Sequence, residues 1–465
     1  MPDFSTFLNT PTTRAIVQEG LLERAFHDVL FPNLIFRGEV SAVPWPAEAG
    51  DTYVFSGDGL MAPDARPIRP GEDPTPQSYA VEQWEAELHT YGSAIDTHMP
   101  TATMAIANLF LQNIRKLGLQ AAQTLNIIVR DRMYNTAESG WTVADGAASG
   151  GSSASLRVKR LNGFTRARRP DLAAGSKVRF NTVSSSNPLA ITVGGTAASV
   201  VGFTPDTAGD EVGPGILTLA VAMNWSDRAA VLASDRSEVS FVGGGTSVND
   251  IGSTDLPRLQ DIRTVVSKLQ INNVPRFQDG TYHVHIDPNS QTAILADTEI
   301  QRMLTGRPEH YMYRDMVLGM MLGCSFVMNN QCPYVNTVYP NDGISFSQQD
   351  PFAGELYSDG TTSGTPIHRM LFTGRGGMME YYRDPLMYLT DAGMLGKMTD
   401  VQVSNDGISI VAERVKMIIL APQNRFQDLV KASWRLDADW PARTDATAPG
   451  TSARYKRWSL LIHGA

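Results

Sequence analysis

His283 and His285 stand two residues apart in Tyr282-His283-Val284-His285-Ile286. On a strand both imidazoles would face one side and could share a metal ion. No third ligand stands at matching spacing, so a packed or solvated strand face is expected. Cys324 and Cys332 flank an apolar run and a turn without a Cys-x-x-Cys pair or a local histidine, which points to buried apolar thiols rather than a redox or zinc site. Asp437 with Asp439, and Asp297 with Glu299, would divide acid and base roles only if burial pushed their pKa values apart. Nothing in the sequence places either pair in a cleft, and solvated carboxylates are expected. Gly374-Arg375-Gly376-Gly377 lacks the strand and helix context that aims amides at a pyrophosphate and reads as a turn. Phosphate-loop, nucleophile-elbow, His-Glu-x-x-His and calcium-loop spacings do not occur. Catalytic residues, cofactors and metal ligands are therefore all expected to be none, and the chain is read as not an enzyme.

Charge is concentrated in two places. The run Arg157, Lys159, Arg160, Arg166, Arg168 and Arg169 encloses Phe164. It could meet nucleic-acid phosphates and stack a base on the ring, form a solvated face, or pair with acids such as Glu72, Asp73, Glu82, Glu85 and Glu87 on another subunit or domain. With 39 Lys and Arg against 48 Asp and Glu, a net charge of −9 favours contact with protein. The second place is a proline-rich tip. Pro63, Pro67, Pro70, Pro74 and Pro76 alternate with Asp64, Arg66, Arg69, Glu72 and Asp73, which neither a helix nor a central strand tolerates. Trp84, Ala86 and Leu88 then alternate with polar residues at the period of a half-buried strand. Residues 48–91 thus read as two extended limbs joined by the tip. Such a loop has little core of its own, so a neighbouring subunit is expected to order it, through Arg66, Arg69, Glu72, Asp73 and Trp84.

The elements around these residues follow from periodicity. After a polar arm, residues 13–31 carry Ile16, Val17, Leu21, Leu22 and Phe26 on one helical stripe, stopped by Pro32. Phe110, Ile114, Leu117, Ala121, Leu125 and Ile128 recur at intervals of three and four, predicting a strut-like helix over 101–137 that ends at Gly140. At 1.5 Å per residue that helix is about 55 Å long. Residues 143–250 turn rich in Ser, Gly, Ala, Thr and Val, with short apolar runs between Gly, Pro and Asp clusters, an all-β pattern. It reads as an inserted β domain hinged at 147–153 and 243–246. The host resumes with Leu256, Leu259, Ile262, Val266 and Leu269 on one helical face, with Thr254 and Asp255 as possible caps. A strand over 282–286 ends at Asp287-Pro288, Ser290 is a candidate cap for a helix through Met303, and strands are expected at 324–328, 370–372, 408–411, 415–420 and 458–462. The fold class is α+β, with boundaries at 1–47, 48–99, 100–142, 143–252 and 253–465.

Composition agrees with a folded protein, at 42% hydrophobic and 19% charged residues. The absence of a signal-peptide pattern, of about eighteen uninterrupted apolar residues and of a disulfide framework suggests a cytoplasmic site of synthesis with no membrane partner.

The order of parts is the most informative signal. A short arm, a proline-tipped extended loop, a strut helix, a β insertion and an α+β block resemble the major capsid protein of tailed bacteriophages, the Hong Kong 97 type fold shared with herpesviruses and encapsulins. The stretch from Leu256 to Leu269 followed by Tyr282 to Pro288 is similar to the family's helix and Asp-Pro-ended strand, and Leu318 to Pro333 is similar to its glycine, apolar strand, Asn and Pro stretch. The resemblance implies hexamers and pentamers of the chain in an icosahedral shell around double-stranded DNA, built in a bacterial cytoplasm and ending in the virion capsid. It implies the podovirus-like branch with an extra β domain, a separate scaffolding protein, a portal and possible decoration proteins. Residues 48–91 would reach over a neighbour, and 101–139 would be the spine of the peripheral domain. An encapsulin-like nanocompartment shell and, more remotely, a cytoplasmic hydrolase are the alternatives.

Overall fold

The computed structural model describes residues 35–46, 50–58, 81–98, 109–168, 177–245, 250–304, 319–335, 367–383, 401–444 and 453–464, with short gaps, and isolated positions between 64 and 76. The expected arm and first helix lie outside the described residues.

In chain order, β1 (Ser41–Pro44), β2 (Thr52–Asp58), β3 (Val81–Glu87) and β4 (His89–His98) precede the helix α1 (Leu109–Ala137). Then come β5 (Trp141–Val143), β6 (Ser153–Val158), β7 (Arg166–Arg168), β8 (Lys177–Thr182), β9 (Leu189–Val193), β10 (Thr196–Pro205), β11 (Gly215–Met223), β12 (Ala230–Ala233) and β13 (Glu238–Phe241). They are followed by α2 (Leu259–Ile271), β14 (Tyr282–Ile286), α3 (Pro288–Leu295), α4 (Thr298–Leu304), β15 (Met320–Met321), β16 (Cys324–Met328), β17 (Tyr334–Val335) and β18 (Ile367–Thr373). The last are β19 (Met379–Tyr382), β20 (Val401–Ser404), β21 (Gly407–Ala412), β22 (Val415–Leu420), β23 (Leu429–Asp439) and β24 (Trp458–Gly464). The chain forms two compact units, one of Met1–Val54, Glu85–Arg130 and Met378–Pro441, the other of Phe55–Trp84, Asp131–Gly377 and Ala442–Ala465.

The first unit is a sheet in the order β1-β19-β23-β22-β21-β20, with β4 also paired to β23 from Leu429 opposite His98 to Ala438 opposite His89. Strand periodicity sorts β23 cleanly: Val430, Ala432, Trp434, Leu436 and Ala438 are buried while Lys431 and Arg435 are exposed. The first part of α1 is bonded to this sheet, Trp434 Nε1 donating to Gln120 Oε1 at 3.1 Å. The predicted stripe of α1 is buried at Phe110, Ile114, Leu117, Ala121 and Leu125; Val129 rather than Ile128 completes it. The described helix has 29 residues, about 43 Å at 1.5 Å each.

In the second unit the Ser- and Gly-rich region folds as a sheet in the order β5-β12-β9-β10-β11-β6. It closes over its own core of Leu156, Val158, Leu161, Phe164, Ile191, Val200 and Leu217, among others. The sheet begins at Trp141 and ends at Ala233, and β13 pairs in parallel with β24 instead, so the β region is shorter than 143–252. The expected hinge at 147–153 also falls elsewhere. It is a turn inside the sheet, between β5 and β6, where Gly150 and Gly151 take φ of 68° and 83°.

Where α1 ends, Gly140 takes φ of 80° and donates its N–H to Asn162 O at 3.0 Å. Gly163 faces it with φ of 82°, and a Cβ there would overlap the Gly140 backbone. Gly163→Ala is therefore expected to cost at least the ~1–2 kcal/mol of a left-handed alanine, seen as a lower urea midpoint.

A further sheet, β13-β24-β18-β14-β16-β15 with β17 on β18, packs against α2 through Leu259, Ile262, Val266, Leu269, Val284, Phe326, Phe372 and Leu461, and β2-β3-β8-β7 form a fourth. The caps differ from expectation. Asp261 Oδ2 accepts from Arg258 N, and Asp297 Oδ2 accepts from Leu259 N at 2.9 Å, leaving Thr254 and Asp255 outside the helix start. The predicted helix from Ser290 to Met303 is two helices, and its cap is Asp287, whose carboxylate accepts from Asn289 N and Ser290 N, with Pro288 at the first position.

Candidate functional site

The extended limb is ordered first by its own chain. Val81, Glu82 and Gln83 of β3 pair in parallel with Lys177, Val178 and Arg179 of β8, and β8 pairs with β7. At these three positions the backbone of the limb is paired within its own chain. Trp84 is only 9% exposed. Its ring packs on Gly57 and the Arg443 guanidinium lies 5.8 Å from the ring centroid, so little of it remains for another subunit. Asp73, Pro67, Pro74 and Pro76 at the tip are exposed; Arg66, Arg69 and Glu72 lie outside the described residues.

Three residues of the basic run, Arg157, Lys159 and Arg166, pair with nearby acids. Arg157 bonds Asp145 at 3.0 Å and Asp206 at 2.6 Å, Lys159 bonds Asp145 at 2.8 Å, and Arg166 reaches Glu211 at 3.5 Å. Hydrogen bonds from Lys159 and from Arg157 outweigh partial burial and hold the Asp145 carboxyl below its ordinary value. The partners within the chain, Asp145, Asp206 and Glu211, belong to the same β region. Phe164 is fully buried and offers no face to a base. Arg168 lies in β7, and Arg169 lies outside the described residues.

Arg160 behaves differently from its neighbours. It is buried, and its guanidinium meets Glu138 Oε2 at 2.8 Å, just past the end of α1. Arg369 of β18 meets the other oxygen, Oε1, at 2.9 Å, and Glu138 and Arg369 are both fully buried on their side chains. One carboxylate thus ties the end of the long helix to the β6–β7 connection and to the middle of a sheet.

A second buried carboxylate does the same in the other unit. Glu380 of β19 accepts from Arg37 Nε and Nη2 at 2.7 Å each and from Trp440 Nε1 at 3.1 Å, and Arg414 Nε stands 3.1 Å from Oε1. Burial opposes its ionisation, but the Arg37 and Arg414 charges and these hydrogen bonds outweigh it and hold Glu380 below the usual carboxylate range. Arg414 takes φ of 67° at the β21–β22 turn.

The sequence-level candidates for catalysis have structural occupations. Asp439 caps the backbone of Glu87 and Trp440, Asp437 pairs with Arg435, and Asp297 caps α2. His283 is stacked on Phe277 at 4.0 Å and paired with Asp279, while His285 is fully buried. Among the described residues no group of three His, Cys, Asp or Glu side chains is placed to hold a metal ion. Cys324 is buried, which pushes its thiol up to about 12, and Cys332 is buried beside Tyr134. Gly374-Arg375-Gly376-Gly377 is a turn. Glu138, Arg369, Glu380, Arg37 and Arg414 were missed; a charged residue inside an apolar run, as Arg369 is in Ile367–Thr373, was the available signal.

No family model matches the chain, and no curated protein matches it in sequence. Solved structures do. The capsid of Ralstonia phage GP4 aligns with 90% of this chain and 84% of its own at 10% identity and a TM-score of 0.45. The capsid of cyanophage P-SCSP1u aligns with 91% and 86% at 11% identity and 0.44. The capsid asymmetric unit of cyanophage Pam1 aligns with 90% and 86% at 9% identity and 0.46. All three are phage capsids.

Proposed function

We propose that this chain is the major coat protein of a tailed bacteriophage, with the Hong Kong 97 type fold and an inserted β domain, assembling as hexamers and pentamers around double-stranded DNA. The observation that carries the reading is the order of elements. Two strands flanking a proline-rich tip lead through the ten-residue strand β4 into the 29-residue helix α1, and a β sheet with its own core follows at once. That is the order in which the sequence resembles the family. A shell protein needs contacts whose energy is spread over several neighbours, and an exposed loop tip outside the subunit's core suits that task. The buried carboxylate ties at Glu138 and Glu380 fit a subunit that must hold its shape under load. With Arg157, Lys159 and Arg166 paired to nearby acids and a net charge of −9, the chain is poorly suited to grip packaged DNA.

Deleting residues 63–76 tests the reading. The limbs and their pairing with β8 remain, so the variant is expected to fold with an unchanged urea midpoint and to form no closed shells by electron microscopy, whereas the full chain forms shells, tubes or hexameric rings. Normal shells from the deleted chain would sink the clamp role of the loop. The absence of any assembly from the full chain, with its scaffolding protein supplied, would overturn the coat-protein reading itself.

A further inference from the structure

The first turns of α1 present a cationic face that the chain leaves unpaired. Gln112, Arg115, Lys116, Leu119 and Gln123 fall on one stripe of the helix, and all five are exposed. The opposite stripe is buried against the sheet of the first unit, to which α1 is also tied by Asn113 Nδ2, donating to Thr97 Oγ1 of β4 at 2.9 Å. From Thr97 to Arg130 the sequence contains no Asp or Glu, although the whole chain has 48 of them against 39 Lys and Arg. The positions three and four residues away, where a helix pairs its charges, therefore hold no acid. Among the described residues neither Arg115 nor Lys116 has an ion-pair partner. The face of the same sheet turned away from α1 is balanced instead. There Lys431 stands opposite Asp96, and Arg435 bonds Asp437 at 2.9 Å.

We propose that the outward face of α1 is the surface on which this chain meets double-stranded DNA, through sequence-independent contacts to phosphate. The inference rests on the coat-protein reading, because it names the face that the enclosed DNA touches. The side chains suit a phosphate backbone. Arg115 can offer one phosphate two N–H donors, Lys116 supplies a compact charge, and Gln112 and Gln123 carry amide donors. From Gln112 to Gln123 the stripe is about 16 Å long, which spans several phosphates at about 3.4 Å each along one strand. An acidic protein segment is the other polyanion that such a pair of cations attracts. A stable protein contact needs an apolar centre, and Leu119, at 38% exposure, is the one large apolar side chain that α1 exposes among the described residues. Two unpaired cations in a chain of net charge −9 give a weak, salt-sensitive contact, so the DNA is touched without being held.

Fluorescence anisotropy of a labelled duplex of mixed sequence, titrated with the full chain before assembly, reads the contact. At a slope of about −0.9 per phosphate contact, two contacts weaken binding about 12-fold between about 50 and about 200 mM salt. Arg115→Gln combined with Lys116→Gln is expected to cut that factor below about twofold, with an unchanged urea midpoint because both side chains are exposed. Lys431→Gln combined with Arg435→Gln removes the same charge from the other face of the sheet and is expected to leave the salt factor as in wild type. Equal losses in the two double variants would show that net charge rather than the α1 face decides, and would overturn the assignment. Wild-type binding that ignores salt, or no binding to the duplex at low salt, would overturn it too. Polyglutamate bound more tightly than the duplex, and released by the α1 double variant, would give the face to an acidic protein and overturn the DNA assignment. Shell formation is scored separately by electron microscopy. Shells without duplex binding would remove the α1 assignment and leave the coat-protein reading, whereas duplex binding through α1 by a chain that never assembles would do the reverse.

Discussion

Glu138→Gln is expected to destabilise the chain by about 3–5 kcal/mol, because it leaves buried guanidinium groups without their counter-charge. The wild-type carboxylate meets Arg160 and Arg369 at 2.8 and 2.9 Å, with side-chain exposures of 0, 3 and 0% for Glu138, Arg160 and Arg369. The substitution keeps the shape and removes only the charge, so packing loss cannot explain the result. Asp145→Asn is the matched control. It removes the carboxylate between Lys159 and Arg157, whose side chains are 29% and 46% exposed, and should cost about 0–1 kcal/mol. Urea denaturation of both variants checks the contrast, and similar midpoints would rule out the ion cluster as the tie at the end of α1. Replacing Glu138, Arg160 and Arg369 together by apolar residues of similar volume is expected to recover most of the loss, since the penalty lies in the unpaired charge rather than in the absent bond.

Glu380→Gln is the corresponding expectation in the other unit, again about 3–5 kcal/mol. Here the carboxylate holds Arg37, Arg414 and Trp440 together, and removing its charge strands Arg37, whose side chain is 1% exposed. The pH dependence gives an independent signature. Glu380 is held below its ordinary value of 4.5. Its contribution is therefore complete above that ordinary value and is lost as pH falls through the lower folded value, when the native carboxylate finally takes a proton. The wild-type stability should decline more steeply with acid below about pH 4.5 than that of Glu380→Gln. Parallel acid curves for the two proteins would show that Glu380 does not carry the linkage.

Local periodicity made most of the elements legible. The three- and four-residue recurrence from Phe110 to Leu125 specifies α1 because a helix must bury one stripe, and Gly140 specifies its end because only a residue free to adopt φ near 80° turns there at no cost. The alternation around Trp84 specifies a half-buried strand for the same kind of reason. The turn at 374–377 and the burial of Cys324 and Cys332 were also legible, since each depends on a few adjacent residues.

Long-range pairing was not legible. Asp261 and Asp287 cap helices where Asp255 and Ser290 were expected, because short stretches rich in Asp and Ser offer several caps of similar strength and packing selects among them. The basic run from Arg157 to Arg169 looks uniform in sequence. Yet Arg157 is a half-exposed surface pair and Arg160 is buried on Glu138. Adjacent strand and turn positions point to opposite environments, and the sequence does not state which acid arrives on which side. The ties at Glu138 and Glu380 join residues up to 343 positions apart. Sequence alone determined where this chain makes helix, strand and proline-rich tip, because backbone preference and side-chain period act within one element. The tertiary structure alone decided which charges are buried and with what partners, because desolvation and pairing depend on what the rest of the chain brings to the same point in space.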